Sequence, residues 1–267
     1  MVLTAVRGAL GFLSRLPVGH SERAWEAFVG TPAAFPLAGY VVGGLVALPF
    51  LAAGLLPAPV VAAAYLGSVV LVTGVNHADG LADLGDAAVV HGDPAERRDV
   101  MRDTTIGVGA VLALGTVLLA LVLAALAVAG LPPLVAVSLV LAAEVGAKLA
   151  MATLACVGRP SHEGFGATVI NDNGPRHLVG SLAVALPAVV VAVPVTVAAV
   201  LIGPLLALGL SRWADQRLGG VSGDVFGAAN ELTRAVALHV GVAVWSLFGS
   251  IWSIPLVDWG VLTWMPW

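Results

Sequence analysis

The chain has 267 residues, of which 59% are hydrophobic and only 10% charged, with a net charge of −4 and a mean hydropathy of +1.00. Soluble domains carry about 25% charged residues, so a soluble globular enzyme is excluded, and the weak negative charge gives no electrostatic case for nucleic acid as a partner. The lone cysteine, Cys156, excludes an internal disulfide and leaves the redox compartment undetermined.

A bilayer-spanning helix uses about 20 apolar residues, so the composition predicts an all-α fold, a polytopic helical bundle forming one membrane-embedded domain over residues 1–267. Residues 1–31 open it. Val2, Leu3, Val6, Leu10, Leu13 and Leu16 recur at helical spacing opposite Arg7, Gly11, Ser14 and Arg15, which reads as a short helix lying in the membrane interface; a disordered terminus is the alternative. No unbroken apolar core of signal-peptide length is present in the first twenty residues. Uncharged runs follow at 32–56 and 58–76.

The stretch 77–105 is the most informative, because seven of the chain's sixteen acidic residues fall within it. Asp79, Asp83 and Asp86 share one helical face, and Glu96, Asp99 and Asp103 repeat the stripe. Between them, Asp93 as N-cap, Pro94 at the first helical position and Glu96 at the third predict a turn. The expectation is an acidic helical hairpin. Carboxylates crowded on one face are either merely solvated or neutralised by a cation, and hard oxygen donors select Mg²⁺, Mn²⁺ or Ca²⁺. Mg²⁺ suggests a phosphate-bearing ligand, whose oxygens Arg97, Arg98 and Arg102 would hold. Gly80 would weaken an ordinary solvated helix by about 1 kcal/mol relative to alanine, which favours the metal reading.

Uncharged runs resume at 106–130 and 131–157. Within the latter, Glu144 and Lys148 stand four residues apart on one face, either as a functional pair or as an ion pair locking helices together. Segment 158–177 mixes glycines with Arg159, His162, Glu163, Asp172 and Arg176 and looks like a ligand loop. The 33-residue run 178–210 is too long for one span, carries Pro187, Pro194 and Gly203-Pro204 as punctuation, and is expected to form two short spans meeting near 194–204. In 211–234, a second motif loop, Asp224 and Glu231 are seven apart on one face beside Gly219, Gly220 and Gly223, and either complete the site or, with Ser222, cap a helix. A final apolar run covers 235–257. No aromatic stacking platform is expected from seven Trp and two Tyr.

Seven spans place 1–31, 77–105, 158–177 and 211–234 on one face, with eleven of the twelve basic residues; Asp258 is left in an outward tail. The positive-inside rule makes that face cytoplasmic. Six spans, the alternative, break this partition. No Walker loop exists, since Ala147 precedes the only lysine, Lys148, and GxSxG, HExxH and cysteine-histidine clusters are missing.

Five motifs in order, FLSRLPVG at 12–19, FPLAGYVVGG at 35–44, HADGLADLGD at 77–86, RRDVMRDTTIGVGA at 97–110 and GGVSGDVFGAANE at 219–231, resemble those of the adenosylcobinamide-GDP ribazoletransferase (cobalamin synthase) family nearly end to end. Ala87, Thr104 and Thr105 depart from its pattern. The resemblance implies a Mg²⁺-dependent transfer in late vitamin B12 biosynthesis, at the inner face of the cell membrane. Adenosylcobinamide-GDP would be joined to α-ribazole or its 5′-phosphate with loss of GMP, the metal being held by Asp79, Asp83, Asp86 and Asp103, which form the catalytic set. Arg97, Arg98, Arg102, Arg159, His162, Asp224 and Glu231 would bind substrate. The lipid bilayer is the other partner, and an oligomer is compatible with the sequence. A CDP-alcohol phosphotransferase would match Asp79-Gly80 but lacks its arginine partner here, and an ion transporter would carry its acidic groups at the membrane midplane.

Overall fold

A computed structural model describes residues 2–249 of the chain, so Asp258 and the end of the last apolar run lie outside the described residues. Among the described residues every regular element is helical. Helix α1 (Val2–Leu13) packs on α2 (Glu22–Val29), which Ser21 caps by accepting the Ala24 N–H. The buried side of α1 is Ala5, Ala9, Leu10 and Leu13, while Val2 and Leu3, expected on the same face, are exposed. An ordered helix therefore replaces the disordered-terminus alternative.

Helix α3 (Ala34–Val46) continues through a 3-10 turn at Leu48–Ala52, and α4 (Ala58–Thr73) returns. Helix α5 (Asn76–Val89) then leaves α4 at 95° and packs against the later helices Val108–Val128 and Gly223–Phe248, and α6 (Pro94–Arg102) completes the hairpin. Helices α7 (Val108–Val128) and α8 (Pro133–Val157) are joined by a short Gly-Leu-Pro-Pro turn.

Helix α8 is the axis of the molecule, packed by α3, α11 and α12 and buried along nearly its whole length from Ala136 to Cys156. Its alanines and Gly146 allow this, because small side chains let helix backbones approach closely. By contrast Leu112, Leu119 and Leu123 of α7 stand exposed, an apolar surface that a bilayer would cover. Five helices are long and apolar enough to cross a membrane, or six if the bent pair α4–α5 is one span. The chain is thus an all-helical, multi-pass membrane protein.

The run 178–210 does break, at 186–194 between Pro187 and Pro194 rather than at Gly203-Pro204. Helix α10 (Pro175–Ala185) passes into a 3-10 turn at Leu186–Val189, and α11 (Val195–Arg217) starts directly after Pro194. Gly203-Pro204 lies inside α11. A Cβ on Gly146 would lie 3.1 Å from Val200 Cα, so α8 and α11 cross in close contact there. That packing holds the helix together although Pro204 lacks an N–H.

Segment 158–177 is more ordered than a flexible loop. Helix α9 (Phe165–Asn171) occupies part of it, and residues 159–161 pair with the α11–α12 turn, the Val221 N–H donating to the Arg159 carbonyl at 2.7 Å and the Ser161 N–H to the Val221 carbonyl at 3.2 Å. The supposed loop 211–234 is mostly helix, a tight turn at 218–222 leading from α11 into α12 (Gly223–Phe248). Gly219 and Gly220 take positive φ values of 76° and 147° in this turn, which a side chain would strain.

Candidate active site

The hairpin forms for local reasons. Asp93 Oδ1 accepts the N–H groups of Ala95 and Glu96 at 2.7 and 3.0 Å, and Glu96 Oε2 accepts the Asp93 N–H at 2.8 Å, a reciprocal capping box. The Glu96 and Ala95 N–H bonds hold the Asp93 carboxyl below the ordinary carboxylate range. Arg97 is buried. Its guanidinium donates to the carbonyls of Ala87 at 2.5 Å, Ala88 at 3.3 Å and Gly92 at 3.2 Å, satisfying the last turn of α5. Arg98 donates to the Leu218 carbonyl at 2.6 Å and ties the hairpin to the α11–α12 turn. Arg97 is therefore spent on backbone, unlike the phosphate role expected of it, whereas Arg98 uses Nη1 alone and lines a recess beside Arg102. Arg102 is exposed, with Asp99 at 3.5 Å, a weak surface pair.

Asp79, Asp83, Asp86, Arg102 and Asp103 line one cleft of about 530 Å³ between α5, the end of α6 and the start of α7. Their states differ. Asp86 accepts the Gly107 N–H at 2.8 Å and the Ala110 N–H at 2.9 Å, so it caps α7 from across the hairpin and both its oxygens are engaged. Asp103 accepts the Thr105 N–H at 3.1 Å in a local turn. Asp79 is exposed. Asp83 is half-buried, and its pKa rises to about 6, first by burial and then through the like charges of Asp224, Asp79 and Asp86.

Asp224 reaches this group because of Gly80. A Cβ there would lie 2.8 Å from both the Cα and the carbonyl oxygen of Asp224, so α5 and α12 meet backbone to backbone. Ser222 Oγ donates to Asp224 Oδ2 at 3.1 Å and makes no hydrogen bond capping α12; Ser222 orients Asp224 instead of capping. His162, its Nδ1 2.8 Å from Ser161 Oγ, lines a small recess with Asp224, Arg98 and Arg102. Arg159 is exposed and pairs with Asp215 at 3.6 Å. Among the described residues, no three His, Cys, Asp or Glu side chains converge closely enough to hold a metal by themselves.

Glu231 does not join Asp224 in the cleft. It belongs to a buried network across α8, α12 and α5. Lys148 Nζ donates to Asn230 Oδ1 at 2.6 Å and to Glu144 Oε2 at 3.3 Å; Asn230 Nδ2 donates to Glu231 Oε1 at 2.9 Å; and Arg234 donates to Glu231 Oε2 at 2.5 Å and also to Glu144. Two anions face two cations, so the set is neutral. The pair Glu144–Lys148 is one edge of this lock.

Sequence reasoning missed an aromatic cluster. Phe12 of α1 stacks on Phe165 of α9 with centroids 4.3 Å apart, and Phe165 meets Phe226 of α12 at 5.4 Å and Trp25 of α2 at 6.0 Å. Its members come from four distant segments, and the only local signal was Phe165 within Gly-Phe-Gly of the suspected ligand loop.

The chain matches the cobalamin-5-phosphate synthase family over residues 5–242. It is 49% identical to an adenosylcobinamide-GDP ribazoletransferase of Halorubrum lacusprofundi, covering 93% of this chain and 100% of that protein. It is 46% identical to one of Haloquadratum walsbyi, covering 92% and 100%, and 50% identical to one of Halobacterium salinarum, covering 73% and 99%. No solved structure matches it. The motifs spaced along the primary structure, the acidic cleft assembled from two of them and these full-length similarities agree: the chain belongs to the cobalamin-5-phosphate synthase family.

Proposed function

We propose that the protein transfers the cobinamide-phosphate moiety of adenosylcobinamide-GDP to α-ribazole or its 5′-phosphate, releasing GMP in a late step of vitamin B12 biosynthesis. The observation that carries this is the 49% identity, over the whole length of the relative, to a protein of that name. A ribose hydroxyl attacks the phosphorus attached to cobinamide, the bond from that phosphorus to the GMP oxygen breaks, and the hydroxyl proton passes to a carboxylate. Asp83 suits that last task, because a base whose pKa is near the working pH accepts a proton and releases it again. Arg102, exposed on the cleft, orients phosphate oxygens.

Mg²⁺ fits this cleft as a hard ion that keeps several waters and uses one or two carboxylates together with substrate phosphates. Asp79 and Asp103, which line the cleft, would hold it, Asp103 through the oxygen that Thr105 leaves free; both oxygens of Asp86 are engaged as a helix cap. When bound, the ion neutralises charge developing on the phosphoryl oxygens. The polar segments joined at one end of the bundle by the Arg98–Leu218 and Arg159–Asp215 contacts support seven crossings, with α4 and α10 counted singly, and a site on the cytoplasmic side of the cell membrane.

The test is a single-turnover reaction of the purified protein in lipid nanodiscs. GMP release that requires both adenosylcobinamide-GDP and α-ribazole is expected. CMP release from a CDP-alcohol donor, or no chemistry with either pair, overturns the reading.

A further inference from the structure

A cavity of about 160 Å³ has a lining that includes Phe12, Phe165, Phe226, Met151, His77 and Asp224. It shares Phe12 and Asn76 with an open cleft of about 650 Å³ between α1 and α2. Phe12 and Asn76 thus stand between the open cleft and the inner cavity, where Asp224 lies. Stacked or edge-on aromatic rings favour flat π-systems, and stacking on them is tolerant of ring identity.

The polar edge of the cavity is fixed by the buried network. Lys148 can only donate, so the atom of Asn230 facing it must be the carbonyl oxygen. The Asn230 amide nitrogen then faces Glu231 at 2.9 Å and His77 Nδ1 at 3.3 Å. Since an amide NH₂ donates, His77 Nδ1 accepts, and the ring proton resides on Nε2. Glu231 lies farther from Nδ1, at 3.9 Å, too long to claim that proton. His77 thus lines the cavity as a neutral donor of defined tautomer, and no described protein group accepts from its Nε2.

Aromatic walls with His77, Asn76 and Asp224 as the polar groups of the lining suit a flat heteroaromatic ring that carries an acceptor nitrogen and a hydroxylated substituent. Asn76 and Asp224 can also accept from the N–H groups of guanine, so guanine is the rival occupant that displacement by GMP tests. We propose that this cavity is the subsite for the heteroaromatic base of the nucleoside acceptor, a benzimidazole-type ring lying against Phe12 and Phe165. Its free ring nitrogen accepts from His77 Nε2–H, and its ribose is directed toward Asp224. The assignment rests on the transferase reading for the identity of the acceptor, but the binding chemistry is testable without turnover.

The decisive probes are 1-methylbenzimidazole and 1-methylindole, two rings of the same shape of which only the first has the acceptor nitrogen, titrated calorimetrically into the intact protein in nanodiscs. The former is expected to bind at least about tenfold tighter and to be displaced by α-ribazole but not by GMP. Equal binding of the two rings, or displacement by GMP, overturns the proposal, and neither result depends on the enzyme turning over. In kinetics, Phe165→Ala should raise the KM for α-ribazole about tenfold or more with the KM for adenosylcobinamide-GDP unchanged, and Phe165→Trp should restore it. A rise in the corrinoid KM instead also overturns it. Should Phe165→Ala fail to fold, the probe titration on the unaltered protein decides alone. If neither substrate pair turns over while the benzimidazole preference holds, the transferase reading fails and the pocket stands.

Discussion

Gly80 of α5 rests directly on the backbone of Asp224 at the start of α12, at a separation that leaves no room for a methyl group. Two acidic motifs some 140 residues apart in sequence are brought side by side by this contact, close enough for the Asp224 charge to act on Asp83. Gly80→Ala is expected to push α5 off α12 at a cost of about 1–3 kcal/mol. Because a displacement of about 1 Å can cost roughly a hundredfold in rate, turnover per folded molecule should fall at least tenfold. Normal turnover alongside a lowered melting temperature would show that the contact serves stability alone.

The carboxyls of the cleft differ in role. Asp86→Ala removes the acceptor for two α7 N–H groups and should lower stability by about 1–2 kcal/mol. Arg97→Ala should act likewise, since hydrogen bonds from a charged donor contribute about 1.5–3 kcal/mol each. Arg102→Ala should leave the melting temperature unchanged and raise the KM for the corrinoid nucleotide. Thermal unfolding and kinetics on the same preparations separate the two behaviours.

The raised pKa of Asp83 makes a signed prediction. In chelator-treated protein, the native state keeps a proton between the unfolded value of 3.8 and about 6 that the unfolded chain has released. Native stability should therefore fall as pH rises through that window, and Asp83→Asn should flatten the slope. Unfolding midpoints measured from pH 4.5 to 7 provide the check; a midpoint that climbs with pH, unaltered by the substitution, contradicts it.

Breaking the buried network on one side leaves an unpaired charge, which costs about 3–5 kcal/mol. Glu144→Gln or Lys148→Met alone should sharply reduce the folded yield. The double variant removes one charge of each sign, leaves Arg234 paired with Glu231, and should be more stable than either single variant. A double-mutant cycle measures the coupling, and additive losses would show that the pair is not an interacting unit.

What the sequence discloses and what it hides divide along contact distance. Asp93, Pro94 and Glu96 announce their turn because capping is settled within four residues, and the stripe Asp79, Asp83, Asp86 follows from helical period. Spacing cannot show that Asp86 looks across to Gly107, that Arg97 turns back onto α5, or that Glu231 pairs inward with Arg234 while Asp224, on the same helical face, opens to the cleft. The break in 178–210 was displaced for a related reason. Gly203-Pro204 reads as punctuation alone and as a contact surface only once α8 is beside it. Phe12 and Phe165 stack across some 150 residues, and nothing near either one signals the other.

The segment 159–161 and Val221 are fastened by main-chain bonds, which are indifferent to side-chain identity but not to chain count. Apart from Gly219 and Gly220, whose backbone excludes a side chain, substitution along this seam is therefore cheap, whereas adding or removing one residue between Arg159 and His162, or between Leu218 and Asp224, would slide the pairing and separate His162 from Asp224, which share a recess. Homologous chains that keep this chemistry should vary in letters along the seam and be constant in length, so that a gap in an alignment there is a stronger mark of altered function than any replacement.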